Sequence, residues 1–261
     1  MTPSDRLGER FGEIALVTGA SRGIGRAVAE TLAGAGYALG LCARSSEVDT
    51  VAESLRVSGA RARSWRVDTA NAEAVRAFVD EAAEHFGRVD VLVNNAGLNR
   101  AGSLSEADPD DLDLLFRVNV RGTFVAMQAA AAHMVRQGGG RIVNVASWVA
   151  RSPAPGFLAY SASKAAVMSL TRGASLELAG AGITVNAVSP GNVWTDIWES
   201  CSAGASFRGD RTARELFESA VLEQPIKRGV TVEEVAHTVL FLCTAGAGSI
   251  TGEAIVIASG L

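Results

Sequence analysis

Residues 14–27 read IALVTGASRGIGRA, a short apolar run followed by a glycine-rich turn and the start of an amphipathic stretch. In such a turn Gly19 allows a sharp bend, Gly23 lets the backbone approach a pyrophosphate, and Gly25 lets a helix pack closely on the strand. A helix that begins here directs free N–H groups at an anion. A glycine cluster alone more often marks a plain turn, but the flanking strand and helix favour a phosphate-binding loop. The other members of this loop are Ser21, Arg22 and Ile24.

The same alternation of apolar runs and amphipathic stretches continues along the chain. It predicts an α/β fold with one doubly wound parallel sheet, Rossmann-like, and helices on both faces. The predicted strands are 14–18, 38–42, 62–67, 89–94, 141–145, 183–188 and 254–257. The predicted helices are 22–33, 47–57, 72–86, 110–137 (interrupted near Gly122), 160–179 and 232–243. Residues 192–225 have weaker periodicity and are predicted to be irregular.

The composition of the 261-residue chain is that of a globular protein, with 48% hydrophobic and 20% charged residues. The chain shows no linker, repeat or low-complexity stretch, so residues 1–261 are predicted to form a single domain. The net charge of −4 and the isoelectric point of about 5.5 argue against a general binder of nucleic acid or membrane surfaces, which usually carries a basic excess.

The three cysteines, Cys42, Cys201 and Cys243, are far apart and odd in number. They form neither a metal-ligand spacing nor a plausible disulfide framework, which favours a reducing compartment. The first residues are polar and lack the apolar core of a signal peptide, and no apolar run has the length of a membrane span. We therefore expect a cytoplasmic protein that binds no metal.

The end of the second predicted strand bears on which dinucleotide binds. An acidic residue there would hydrogen-bond the ribose 2′-OH of NAD, whereas an arginine accommodates the 2′-phosphate of NADP. Ala43 occupies the acidic position, Arg44 and Ser45 follow it, and Arg22 in the glycine loop can reach the same phosphate. Both arginines could instead be solvated surface residues. Their agreement favours NADP(H) over NAD(H).

Three motifs follow in order: Gly-x3-Gly-x-Gly at 19–25, Asn94-Asn95-Ala96-Gly97 after the fourth strand, and Tyr160-Ser161-Ala162-Ser163-Lys164. Together they resemble the short-chain dehydrogenase/reductase family over nearly the whole chain. The resemblance implies a nicotinamide-dependent oxidoreductase. It also implies cofactor contacts by Asn95, Ala96 and Gly97, and adenine contacts by Asp68 and Thr69. Taken alone, Asp68 could equally form an Asx-turn or cap the next helix.

A candidate catalytic group is formed by Tyr160 and Lys164, which are four residues apart and therefore lie on one helix face. A free phenol has a pKa of about 10, and a nearby ammonium together with the oxidised nicotinamide ring favours phenolate. Tyr160 can then protonate the developing alkoxide. Ser147 can hydrogen-bond the substrate oxygen. By resemblance, the backbone of Asn119 bends its helix and holds a water in a proton relay to Lys164.

Each of these four residues also has a structural explanation when it is taken alone. A Tyr–Lys pair can be a surface pair, a serine at a strand end a turn former, and an asparagine in a helix a local kink. Their joint occurrence at separate strand and helix ends favours catalysis.

The segment Ser189-Pro190-Gly191-Asn192-Val193-Trp194-Thr195 resembles the family's P-G-x-V-x-T stretch. The resemblance implies that Pro190 and Gly191 form the turn, that the backbone of Val193 fixes the nicotinamide carboxamide, and that Thr195 contacts the pyrophosphate. A Pro-Gly turn with no further role is the alternative, but it does not explain Thr195.

Residues 192–225 are predicted to form a substrate lid, because long loops in compact domains are usually functional. Trp194 and Trp198 could form one apolar wall of the pocket, and Trp148 and Phe157 the other, although aromatic residues are more often plain core. No charged group obviously converges on a substrate carboxylate, which mildly favours a neutral carbonyl compound.

Partners are expected to be a small-molecule substrate and further copies of the chain. The resemblance implies a homotetramer, with a dimer next, through the helices 110–137 and 160–179, whose small residues permit close approach. These small residues are Ala129 to Ala132, Gly173 and Ala174. The chain ends Ala258-Ser259-Gly260-Leu261, which departs from the family's Asp-Gly-Gly.

The sequence therefore predicts an NADP(H)-dependent ketoreductase, reversible as a secondary-alcohol dehydrogenase, for a small ketone, diketone, sugar or polyol. A 3-oxoacyl thioester (acyl-carrier protein) reductase is the alternative, and it needs a basic patch at the pocket mouth, with Arg100, Arg136 and Arg172 as possible members. A non-catalytic NADP-binding regulatory protein is the alternative from another class, and the presence of Tyr160, Lys164 and Ser147 disfavours it.

Overall fold

The structure is a computed structural model that describes residues 12–202 and 209–261, without the side chains of 200–202. Seven strands form one parallel sheet in the order β3-β2-β1-β4-β5-β6-β7. They are β1 (Ile14–Thr18), β2 (Ala38–Ala43), β3 (Ala62–Arg66), β4 (Val91–Asn94), β5 (Gly140–Val145), β6 (Ile183–Pro190) and β7 (Ala254–Ile257). This sheet confirms the predicted α/β fold class.

Nine α-helices are described between and after these strands. They are α1 (Gly23–Gly34), α2 (Glu47–Val57), α3 (Ala72–Phe86), α4 (Pro109–Leu115), α5 (Thr123–Gln137), α6 (Leu158–Leu178), α7 (Asp196–Ser202), α8 (Ala213–Leu222) and α9 (Val232–Leu242). In the described part of the chain, no helix has both the length and the apolar character that crossing a bilayer requires.

The core consists of two apolar layers, one on each face of the sheet. Ala15 and Val17 of β1 face the layer that α1, α2 and α9 cover. The intervening residues Ile14 and Leu16 face the layer of α3 and α5. This alternation follows from the two-residue period of a strand, and it explains why the central strands are apolar on both faces.

The predicted interruption near Gly122 is a π-helical turn, Phe116–Gly122, between α4 and α5. A Cβ atom on Gly122 would lie 2.6 Å from the carbonyl oxygen of Thr69, so this position accepts only glycine without a shift. Widened turns of this kind change the direction of side chains and are frequent at functional sites.

The expectation of an irregular stretch at 192–225 is wrong, because α7 and α8 lie within it. Thr212 and Glu215 form a capping box at the start of α8, a signal that the sequence carries. Residues 203–208 of the predicted lid and 1–11 of the predicted domain lie outside the described residues, as does the side chain of Cys201. Cys42 and Cys243 are buried, and burial raises the pKa of the Cys42 thiol to about 12.

Candidate active site

The candidate site lies at the carboxyl ends of β1, β4, β5 and β6, where the strand order reverses on either side of β1. Val17 of β1 pairs with Val93 of β4, and Asn94 of β4 pairs with Asn144 of β5. The loops that follow these strands are therefore level with each other. Ligands of open α/β sheets bind at such a reversal.

The glycine loop packs directly against the loop after β4. Asn95 donates side-chain hydrogen bonds of 3.1 and 3.0 Å to the carbonyl oxygens of Thr18 and Gly19. Thr18 Oγ1 accepts the backbone N–H groups of Asn95 and Ala96 at 3.1 and 3.0 Å. A Cβ atom on Gly25 would overlap Gly19 and Asn95. Asn95 therefore holds the shape of the glycine loop.

The N-terminus of α1 has the features of an anion site. Arg22 occupies the N-cap position, and its side chain makes no capping hydrogen bond, so the first N–H groups of α1 have no capping side chain. Gly23 has a positive φ of 55°, and a Cβ atom there would lie 3.3 Å from Thr195 Cγ2. Thr195 thus lies against the glycine loop, at the place where the sequence predicts a pyrophosphate contact.

Arg44 and Ser45 follow the end of β2 and are exposed. A hydrogen bond from the side chain of Ser45 is the main cause that holds the pKa of Glu47 below its usual value, and the charge of Arg22 acts in the same direction. Arg22 also forms an ion pair of 2.8 Å with Asp196, the first residue of α7. The sequence patterns gave no indication of this ion pair.

Asp68 forms an Asx-turn, because its Oδ1 accepts the backbone N–H of Ala70 at 2.9 Å. The cap of α3 is Asn71, whose side chain accepts the N–H groups of Glu73 and Ala74. The Asx-turn, one of the two alternatives left open for Asp68, is therefore present. It leaves the second carboxylate oxygen of Asp68 and the backbone of Thr69 as the groups that would contact an adenine.

Lys164 and Tyr160 lie together near the start of α6. The Nζ atom of Lys164 is 5.8 Å from the centre of the Tyr160 ring, and it donates a 2.7 Å hydrogen bond to the carbonyl oxygen of Val145. The side chain of Lys164 is buried, and this burial lowers its pKa from 10.5 to about 8. A buried ammonium beside a phenol stabilises the phenolate form.

Asn119 uses its whole side chain to join the loop after β4 to α6. Its Oδ1 accepts the N–H of Leu98 at 2.9 Å, and its Nδ2 donates to the Leu98 carbonyl and to Ser163 Oγ, both at 3.0 Å. Ser163 in turn donates to the carbonyl oxygen of Tyr160 at 2.7 Å. Leu98 and Ser163 are positioning partners that the sequence reasoning missed, because neither carries a motif of its own.

Gly97 lies between the two polar groups of the predicted relay. A Cβ atom on Gly97 would be 3.2 Å from Asn119 Oδ1 and 3.4 Å from Lys164 Nζ. The structure thus brings together Asn119 and Lys164, which are far apart in the chain, at a glycine that leaves the space beside them open.

Ser147 lies two residues beyond Val145, the last residue of β5, whose carbonyl oxygen accepts the hydrogen bond of Lys164. Its side chain is largely buried, its backbone is extended, and it precedes the 3₁₀ turn Trp148–Ala150. One strand end therefore supplies both Ser147 and the carbonyl oxygen that fixes Lys164.

The segment that follows β6 contacts both the end of β7 and the residues around Val230. The N–H of Gly191 donates to the Ile257 carbonyl at 2.9 Å, and a Cβ atom on Gly191 would lie 2.8 Å from the Cα of Ala258. Val193 forms a parallel bridge with Val230. The backbone from Pro190 to Thr195 therefore follows a fixed path across the site.

The two tryptophans predicted to form an apolar wall pack in an aromatic cluster with a phenylalanine of α8. Trp194 and Trp198 contact the Phe217 ring edge-on, with ring centres 5.2 and 5.3 Å apart. The guanidinium carbon of Arg214 lies 4.9 Å from the centre of the Trp194 ring. Phe217 and Arg214 were missed because the helix that carries them was not predicted.

The predicted second wall, Trp148 and Phe157, lies between Ser147 and Tyr160 in the chain. Trp148 begins the 3₁₀ turn after β5, and Phe157 is the N-cap residue of α6 and forms a bridge with Gly102. Both residues are half-buried. Their place beside the Ser147–Tyr160 segment is compatible with a role in the pocket.

Comparison with known proteins gives agreement over most of the chain. A family model described as short chain dehydrogenase matches residues 13–205. The chain is 37% identical over 249 residues to the 3-oxoacyl-[acyl-carrier-protein] reductase FabG of Staphylococcus aureus, a match that covers 95% of this chain and 97% of the relative.

Two solved structures illustrate the similarity of the fold. An NAD⁺-bound xylitol dehydrogenase is similar with a TM-score of 0.91 and 32% identity, over 97% of this chain and 100% of that one. A short chain dehydrogenase from Burkholderia cenocepacia in complex with NADP is similar with a TM-score of 0.86 and 39% identity, over 98% of both chains.

Proposed function

The chain belongs to the short-chain dehydrogenase/reductase family of oxidoreductases, and on this premise we propose that it is an NADP(H)-dependent reductase of a carbonyl compound, reversible as a secondary-alcohol dehydrogenase. The observation that carries the proposal is that Lys164 and Asn119 meet at Gly97 and that the Nζ atom of Lys164 lies 5.8 Å from the centre of the Tyr160 ring. A non-catalytic regulatory protein would have no need of a buried lysine at this position.

The residues of the site divide the chemistry between them. The hydride for the carbonyl carbon would come from NADPH bound at the glycine loop. Ser147 donates a hydrogen bond to the carbonyl oxygen, and Tyr160 gives its proton to that oxygen as negative charge develops on it. The ammonium charge of Lys164 favours the phenolate form of Tyr160 and so makes its hydroxyl a better proton donor. Asn119 is a positioning residue, because it holds Ser163 and, through it, the turn of α6 that carries Tyr160.

The residues around the glycine loop fit a phosphorylated dinucleotide. The N-terminus of α1 has no capping side chain, so its N–H groups are free to bind the pyrophosphate. Arg44 and Ser45 after β2 would bind the 2′-phosphate, with Arg22 adding a second guanidinium. A relative in complex with NADP supports this cofactor, while an NAD⁺-bound relative keeps NAD(H) as the alternative.

The substrate class that we propose is a small ketone, diketone, sugar or polyol. The aromatic cluster of Trp194, Trp198 and Phe217 next to the Val193 segment supports it, because such a cluster offers an apolar wall.

The similarity to a 3-oxoacyl-[acyl-carrier-protein] reductase makes a 3-oxoacyl thioester the second candidate. The basic patch considered for it is not supported, because Arg136 lies at the end of α5, where β5 begins, and thus at the opposite end of the sheet from Ser147. Arg172 is about 18 Å along α6 from Tyr160, and Arg100 is paired with Asp111.

We further propose that the chain forms a homotetramer, with a dimer as the next alternative. Phe124 on α5 and Leu158 and Leu176 on α6 expose apolar side chains, which supports contacts between copies through these helices. Of the small residues considered for such contacts, Ala129 and Ala130 are buried in the chain's own core. They therefore cannot take part in a subunit interface.

A panel of carbonyl compounds and alcohols, each tested with NADPH and with NADH, tests the proposal. We expect turnover of small ketones, with NADPH preferred. Higher kcat/KM for a 3-oxoacyl thioester on an acyl-carrier protein than for every free ketone would favour the second candidate. Tight NADPH binding without turnover across the whole panel would contradict the proposal.

A further inference from the structure

The ion pair between Arg22 and Asp196 joins the glycine loop to the first residue of α7. The guanidinium and carboxylate are 2.8 Å apart, and 74% of the Arg22 side chain and 57% of the Asp196 side chain are exposed. The contact joins two helix starts, since Arg22 is the N-cap residue of α1 and Asp196 begins α7. The same arginine is one of the two that we assign to the 2′-phosphate of NADP.

A second carboxylate acts on the same arginine. Glu47, at the start of α2, interacts electrostatically with Arg22, and its side chain is hydrogen-bonded to Ser45. Ser45 is also assigned to the 2′-phosphate. Two of the three groups assigned to the phosphate, Arg22 and Ser45, are therefore engaged by carboxylates.

We propose that Asp196 is a specificity-determining residue that competes with the 2′-phosphate of NADP(H) for Arg22, and this inference rests on the cofactor of the proposed function. A phosphate carries up to two negative charges and is a stronger partner for guanidinium than a single carboxylate. Arg22 can therefore exchange Asp196 for the phosphate. NAD(H) lacks that group, so with NAD(H) Arg22 keeps Asp196 as its partner.

The direction of the effect follows from charge. A carboxylate beside the phosphate subsite repels the phosphate and also occupies its arginine. Neutralising Asp196 removes both effects for a 2′-phosphorylated ligand and neither for an unphosphorylated one. Because exposed ion pairs are weak, the change in affinity is expected to be about two- to five-fold.

The test is titration of the full-length protein with 2′,5′-ADP and with 5′-ADP. We expect Asp196→Asn to lower the Kd of 2′,5′-ADP by about two- to five-fold and to leave the Kd of 5′-ADP unchanged. Asp196→Glu keeps the charge and should behave like the unmodified protein. Glu30→Gln is the matched control, because it removes a carboxylate that pairs with an exposed arginine, Arg26, at 2.8 Å elsewhere on α1.

The outcomes separate the inference from its premise. An equal change for both nucleotides means that Asp196 only stabilises α7, and weaker binding of 2′,5′-ADP means that Asp196 helps Arg22 to bind the phosphate; either result overturns the inference. If the unmodified protein does not prefer 2′,5′-ADP to 5′-ADP, the NADP(H) assignment fails and the inference fails with it. If that preference is present but Asp196→Asn leaves it unchanged, only the inference fails.

Discussion

The Nζ atom of Lys164 lies 5.8 Å from the ring centre of Tyr160. Its hydrogen bond to the Val145 carbonyl fixes it at the end of β5, where Ser147 also lies. Because the lysine is buried, its pKa falls from 10.5 to about 8. The charge that is available to Tyr160 therefore depends on pH near the neutral range, and this makes the catalytic proposal testable in several ways.

The rate of carbonyl reduction should fall as pH rises through about 8, the pKa of Lys164. Below this pH the lysine is an ammonium, which favours the phenolate of Tyr160 and so makes its hydroxyl a stronger proton donor. Above this pH the charge is lost. The measurement is kcat for ketone reduction from neutral to alkaline pH at saturating NADPH. A flat profile well above pH 8 in the unmodified protein would contradict the role of Lys164.

The pH dependence of the free energy of unfolding should also reflect the lowered pKa of the buried Lys164. An unfolded lysine keeps its proton up to a pKa of about 10.5, whereas the folded one loses it at about 8. Between these values the unfolded state binds more protons, so the free energy of unfolding rises with pH. Across this interval the free energy of unfolding of the unmodified protein should rise by on the order of 3 kcal/mol more than that of Lys164→Met. Parallel pH dependence of the two proteins in urea unfolding would be the opposing result.

Tyr160→Phe should reduce turnover by at least about 100-fold, because proton transfer by a positioned group contributes that much or more. NADPH affinity should persist, since the ring remains. Tyr37→Phe is the matched control: Tyr37 is the only other tyrosine, and its hydroxyl donates to the Cys243 carbonyl away from the site. That control should keep its activity and lose about 1 kcal/mol of stability. Equal activity of the two variants would rule out Tyr160 as the acid.

Gly25→Ala should weaken dinucleotide binding and lower the free energy of unfolding by about 1–3 kcal/mol, because the added methyl group overlaps Gly19 and Asn95. Gly34→Ala adds the same methyl group to the other end of α1, where nothing lies within 4 Å. It should leave binding unchanged and stability unchanged or raised by up to about 1 kcal/mol. NADPH fluorescence titration and urea unfolding measure both effects. Unaltered NADPH binding by Gly25→Ala would show that the glycine loop is not the pyrophosphate site.

Arg44→Asp should lower kcat/KM for NADPH by at least about tenfold relative to NADH, because a charge-assisted contact to phosphate is replaced by a repulsive one. Arg61→Asp makes the same charge change just before β3, at the amino end of the sheet, and should leave the ratio unchanged. A preference of the unmodified protein for NADH would mean that the Ala43-Arg44 pattern has been misinterpreted.

Much of the site could be predicted from sequence because its parts are local patterns at strand and helix ends. The glycine loop follows the predicted strand 14–18, which has the same bounds as β1 in the structure. Tyr160 and Lys164 are one helical turn apart. The general place of the interruption near Gly122 was also predicted, but its π-helical form and the close approach of Gly122 to Thr69 were not, because no local pattern encodes them.

The remaining features are contacts between distant segments. The pairing of Arg22 with Asp196 depends on where α7 begins relative to the glycine loop. The bonds of Asn119 to Leu98 and Ser163 depend on how three elements pack. The cluster around Phe217 was missed for a different reason: α8 is short, and its capping box was overlooked.

The π-helical turn makes the number of residues between 116 and 122 a constraint on catalysis. Removing one residue would let α4 and α5 run on as a single α-helix and would abolish the widened turn that sets the direction of the Asn119 side chain. Asn119 would turn away from Leu98 and Ser163, although the amino acids that touch substrate would be untouched. We therefore expect this stretch to reject single-residue insertions and deletions that surface loops of the same protein tolerate.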